Sequence, residues 1–94
     1  MQITDLIWLD EIVEKLDMKH QVTQDEVEEV FSSRLKIRKM HKGKFRGEDV
    51  YRALGRTAAG RYLAVFFIHK RTGDGLILSA RDTDSKERSH YATK

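Results

Sequence analysis

The chain of 94 residues contains no cysteine and no proline. Without cysteine it has no disulfide scaffold, no thiolate-held zinc and no thiol nucleophile, a usage that suits a reducing compartment. Without proline, every turn has to be made by glycine and polar residues. Long apolar runs are missing too. The longest, Leu63 to Ile68, is far short of the ~20 residues that a membrane-spanning helix needs. The sequence starts with Asp5 and Asp10 and no basic cluster, so it does not read as a secretory signal, and the expected compartment is the cytoplasm. No G-x-G-x-x-G, phosphate loop, nucleophile-elbow serine or H-E-x-x-H occurs. His20, His41, His69 and His90 include no pair at the i, i+4 spacing of a helical metal site. Neither a cofactor nor a metal is expected.

What is present is charge, unevenly placed. Charged residues make up 35% of the chain, and the net charge of +3 hides a division. Residues 1–29 hold Lys15 and Lys19 against nine acids, a formal charge of −7. Residues 30–94 hold sixteen Lys or Arg against six acids, a charge of +10. A basic surface of this kind points to a polyanionic partner, above all RNA. The plainer alternative is that the two parts neutralise each other in the fold. At this length, residues 1–94 read as one domain with a modest core, burying roughly 60–65% of its unfolded surface. Any active site should then be an open groove.

The pattern predicts an α+β fold. Ile7, Leu9, Ile12, Val13 and Leu16 recur near the helical period of ~3.6, with Asp10, Glu11, Glu14, Lys15 and Asp17 on the other face. This helix should end within residues 18–21. Thr23 with Glu26 forms a capping box for a second helix, Val22 and Val27 occupy the staple positions, and Val27, Val30 and Phe31 make its stripe. From Leu35 and Ile37 the period falls to about two. Strands are expected there, from Val50 to Gly55, over Leu63–Ile68 and over Leu76–Leu78, with turns at Ala58–Gly60 and Thr72–Gly75. Asp84 and Glu87 cap a final helix. The expectation is two N-terminal helices, a four-stranded antiparallel meander and a C-terminal helix.

Two stretches could carry chemistry. Arg34, Lys36, Arg38, Lys39, Lys42, Lys44 and Arg46 fall within thirteen residues. On a strand, positions 34, 36 and 38 share a face and would draw a phosphate backbone by charge. Equally, a charged edge strand protects against aggregation. The second stretch is Ser79-Ala80-Arg81 running into Asp84–Tyr91, where a strand end feeds a helix start. Free backbone N–H groups and Arg81 could converge there on a phosphate, with Arg88 and Tyr91 sharing one helical face. The competing reading pairs Arg81 with an acid from the N-terminal helices and has Tyr91 pack the last helix down.

These pieces, in order, resemble a known family. Trp8, then Lys19-His20 eleven residues later, then Val22 and an acidic helix ending in Val30-Phe31, are similar to the opening of the BrnT family of toxins. Ala53-Leu54-Gly55-Arg56 resembles its middle. Leu76-Ile77-Leu78, Ser79-Ala80-Arg81, Glu87-Arg88 and Tyr91 resemble its ending. The likeness runs over residues 7–91. Where the family carries Asp after the tryptophan, Gly after Lys-His and a central Glu-Arg pair, this chain has Leu9, Gln21 and Asp49-Val50, with Glu48 alongside.

The resemblance implies a RelE-like ribonuclease toxin of a type II toxin–antitoxin pair. It further implies a small antitoxin carrying a ribbon-helix-helix DNA-binding domain, and dimeric assembly with it. In a metal-independent reaction the 2′-hydroxyl attacks the adjacent phosphate. That requires proton transfer and positive charge at the pentavalent phosphorus. On this reading Arg81 and Arg88 clamp the phosphate, Lys19, His20 or Glu48 moves the proton, and Tyr91 positions the substrate. The alternative function is a basic module that binds RNA, or an acidic protein, without cutting it.

Overall fold

The computed structural model describes residues 1–43 and 48–93. Within them the chain forms β1 (Leu6–Ile7), α1 (Asp10–His20), α2 (Gln24–Ser32), β2 (Lys36–His41), β3 (Val50–Arg56), β4 (Tyr62–His69), β5 (Gly75–Asp82) and α3 (Ser85–Ala92). The strands make one sheet in the order β1-β5-β4-β3-β2. β2 to β5 are the expected antiparallel meander, and β1 joins β5 in parallel.

The α+β class is as expected, but the sheet has one more strand than the sequence pattern predicts. Ile7 and Leu9 read as the start of a helical stripe, yet Ile7 belongs to β1 and the helix begins only at Asp10. The reason is backbone pairing. Thr4 N–H donates to the Gly73 carbonyl and Gly75 N–H to the Asp5 carbonyl, which ties this segment to the β4–β5 hairpin. A strand of two residues is too short to leave a period of its own.

α1 ends where it should, on Gln21, which takes a left-handed conformation at φ 52°. Such a position favours glycine, the residue that the BrnT-like pattern places there. α2 opens with the predicted capping box between Thr23 and Glu26. Its Val27 and Val30, with Leu16 of α1 and Val22 between the helices, pack on Ala53, Leu63, Val65, Phe67, Ile77 and Ala80. Gly55 lets α2 lie this close: a Cβ there would meet Val30 Cγ1 at 2.6 Å and Ser33 Oγ at 2.9 Å.

Neighbouring strand residues point to opposite faces. Ala53 and Ala80 face α1 and α2, so Arg52 and Arg81 face the other way, where both meet Glu87 of α3. The sheet thus has an apolar face under α1 and α2 and, under α3, a face that carries Lys36, Arg38, Arg52, Arg56 and Arg81 around an apolar middle. Leu54 and Ala64, register partners in the middle of that second face, are fully buried. Of the ion pairs among the described residues, only Arg61–Glu26 joins the acidic first third to the basic remainder. The two parts therefore neutralise each other directly at few points among the described residues.

Candidate functional site

The α3 face is built from alternation and capping. Registers β2–β3 and β3–β4 set Arg38 opposite Arg52 and Arg52 opposite Phe66. Across the next row, Lys36 pairs with Leu54, Leu54 with Ala64, and Ala64 with Arg81. Onto these cations α3 lowers one acid. Glu87 Oε1 accepts from Arg81 Nη1 at 2.7 Å and from the Asp84 N–H at 3.0 Å. Glu87 Oε2 accepts from Arg81 Nη2 at 2.9 Å and from Arg52 Nη1 at 3.3 Å. One carboxylate therefore completes the helix cap and binds two guanidiniums. Burial alone would raise its pKa. The Arg81 and Asp84 hydrogen bonds and the charges of Arg81 and Arg52 outweigh burial and hold it below the ordinary carboxylate range. Arg81 is raised in turn, chiefly by its hydrogen bond with Glu87.

Beside this knot lies a hollow of about 260 Å³ lined by Arg38, Arg52, Lys86, Glu87 and His90. Three cations and an imidazole here surround a single carboxylate. Arg52 is incompletely satisfied. Its side chain is 12% exposed, and its Nε–H is buried without a partner among the described residues. A buried guanidinium N–H is costly to leave unbonded. The far end of α3 is fixed by Lys36, whose Nζ donates to the carbonyls of His90 and Thr93.

The other flank of α3 carries a second cluster. Arg34, Arg56, Tyr62, Tyr91 and Ala92 line a hollow of about 240 Å³. The guanidinium of Arg88 lies 4.4 Å and that of Arg56 5.5 Å from the centre of the Tyr62 ring.

The expected residues are only partly brought together. Arg81 and Arg88 do not form a joint clamp, because Arg81 is bonded to Glu87 and Arg88 stacks on Tyr62. Tyr91 Oη donates to the Arg34 carbonyl at 2.6 Å, which makes it an anchor for α3. Ser79, Ala80 and Arg81 lie inside β5, which runs on to Asp82, and not at a strand end with free N–H groups. The α3 N-terminus is already bonded by its own Asp84 and Glu87 side chains.

Lys19 and His20 close α1, which packs on the opposite face of the sheet. There Arg61 gathers the His20 and Gln21 carbonyls, Glu26 and Asp82. Glu48 precedes β3 and so sits at the end of the sheet remote from Arg56 and Tyr62. Of the basic run, Lys36 and Arg38 reach the α3 face and Arg34 its rim. Lys39 is paired with Asp49 at 3.0 Å, and Lys42 is exposed. Lys44 and Arg46 lie outside the described residues.

Sequence reasoning assigned no site role to Arg52, Arg56, Tyr62, Lys86 or His90. One signal was available. Lys86 and His90 have the i, i+4 spacing that puts two side chains on one helical face.

Among the described residues, no group of three His, Asp or Glu is arranged to hold a metal ion. No helix among them is long and apolar enough to cross a membrane. No protein-family model and no curated protein sequence matches this chain.

Proposed function

We propose that the chain is a cytoplasmic ribonuclease toxin of a type II toxin–antitoxin pair, with the RNA lying on the α3 face of the sheet. The toxin assignment rests on the BrnT-like residues. The observation that carries the location is the hollow where Arg38, Arg52, Lys86 and His90 gather around the Glu87 carboxylate. Arg38 and Lys86 are exposed there and open to a phosphodiester, and planar guanidinium groups match phosphate geometry.

In this reading the 2′-hydroxyl gives up its proton to a base and bonds to the neighbouring phosphorus, the bond from phosphorus to the 5′ oxygen breaks, that oxygen takes up a proton, and a 2′,3′-cyclic phosphate remains. Imidazole is the side chain best suited to proton transfer near neutral pH. His90 therefore takes the role first given to Lys19, His20 or Glu48. Arg38, Arg52 and Lys86 neutralise charge that builds up on the phosphorane. A ribbon-helix-helix antitoxin, joined in a dimeric complex, silences the toxin by covering this cationic surface.

The alternative is a module that binds RNA without cutting it. It draws support from Arg81, whose guanidinium is already committed to Glu87. The two readings part on one experiment. The purified chain is incubated with single-stranded RNA in a chelator, beside RNA with 2′-deoxy substitution throughout. Cleavage of the first alone, lost in His90→Ala, supports the nuclease. Binding to both without cleavage supports the module.

A further inference from the structure

The hollow on the far flank of α3 takes no part in the reaction just described, and its chemistry is distinct. Arg56 and Tyr62 are register partners across β3 and β4. Arg34 precedes Lys36, the partner of Leu54, so it enters level with Arg56. From α3, Tyr91 meets the Tyr62 ring edge-on at 5.9 Å. Its hydroxyl bond to the Arg34 carbonyl keeps it there. Among the described residues, no side-chain carboxylate lines this hollow. Arg52, Arg61 and Arg81 each have an acid partner, whereas among the described residues none of Arg34, Arg56 and Arg88 lies within 4.0 Å of one.

Three guanidinium groups without a direct acid partner among the described residues, set around two tyrosines, match what a single nucleic-acid strand offers. The cations suit a phosphodiester. Arginine planes and aromatic rings suit an unstacked base. A duplex keeps its bases stacked inside and offers only the first of these. The hollow also has a polarity. Arg56 borders a second groove that contains Asp25, Glu28 and Glu29 of α2, and these acids repel a strand from that side. The favoured path leads over α3 toward Arg38 and Arg52.

We infer that Arg34, Arg56, Tyr62, Arg88 and Tyr91 form a nucleotide subsite for single-stranded RNA, holding a phosphate and an unstacked base away from the scissile bond. This rests on the RNA reading above but not on cleavage. The subsite would fix which single-stranded segment is presented to the hollow at His90.

The test uses a fluorescent single-stranded oligoribonucleotide with 2′-O-methyl groups, which cannot be cut, and reads binding by anisotropy. Arg56→Gln and Arg88→Gln are the variants. Both side chains are exposed, and neither makes a hydrogen bond among the described residues. Arg71→Gln, in the hairpin at the other end of the sheet, is the control for lost charge. Each subsite variant is expected to bind at least about tenfold more weakly, with the slope of log K against log salt shallower by about 0.7. Arg71→Gln should stay within about twofold of the parent. Photocrosslinking of the bound strand should map to Tyr62 or Tyr91. Subsite variants that bind like Arg71→Gln, or a duplex that binds as well as the single strand, overturn the inference. If the variants lose binding while the parent protein cuts no RNA, the subsite stands and the ribonuclease falls. If the parent cuts RNA and the variants bind normally, only the subsite falls.

Discussion

Arg81 and Glu87 meet through two parallel hydrogen bonds of 2.7 and 2.9 Å, with the Glu87 side chain only 6% exposed. The pair bolts the start of α3 to the sheet, while Lys36 and Tyr91 hold its far end by polar contacts. The helix is eight residues long and buries no apolar side chain fully. Removing the acid leaves Arg52 and Arg81 facing each other without a counter-charge. Glu87→Ala should therefore cost about 3 kcal/mol, read from the urea midpoint. Glu87→Gln, which keeps an oxygen for the Asp84 N–H, should cost less.

The same carboxylate makes stability depend on acid. The folded pKa of Glu87 lies below its ordinary value, as does that of Asp82, lowered chiefly by its hydrogen bonds with Arg61. For such groups the stabilisation is complete above the unfolded pKa of about 4 and is lost as pH falls through the lower folded value. Urea midpoints should hold from neutral pH down to about 5 and then fall steeply below about 4. In Glu87→Gln the fall should be shallower. Parallel curves for the two proteins would remove Glu87 from this account.

Gln21 holds a left-handed backbone at φ 52°, which costs a residue with a Cβ about 1 kcal/mol. Its side chain is exposed, and its contact with Arg61 is made by the carbonyl. Gln21→Gly should raise stability by about 0.5–1 kcal/mol, measured by denaturant unfolding. A loss instead would mean that Gln21 contributes through its side chain.

Gly55→Ala should do the reverse. The added carbon would lie 2.6 Å from Val30 Cγ1 and 2.9 Å from Ser33 Oγ. Relieving that overlap pushes α2 off β3 at a cost of about 1–3 kcal/mol. A melting temperature unchanged from the parent would show that α2 does not approach β3 as described.

How much of this was legible depended on whether a feature has a local cause. Both capping boxes follow from residues three apart in sequence, and Thr23–Glu26 and Asp84–Glu87 form as expected. The meander followed from alternation and from the turn glycines. β1 was hidden because two residues carry no period and its partner, β5, lies some seventy residues away. The site was harder. Arg81 stood out by its motif, but that Glu87 would claim it depends on how α3 crosses the sheet. Arg52 reads as an ordinary strand residue until the register puts it beside Phe66 and Arg38. Lys19, His20 and Glu48 were grouped with Arg81 by family likeness, whereas the chain distributes them over the other face and the far end of the sheet.

That RNA lies on the cationic surface flanking α3 can be tested by mapping backbone amide shifts while an uncleavable 2′-O-methyl strand is titrated in. The account predicts shifts along α3, at Lys36 to Arg38 and around Arg52, with α1 and the exposed side of α2 unchanged. Shifts centred on α1 and α2, or none on α3, would contradict it.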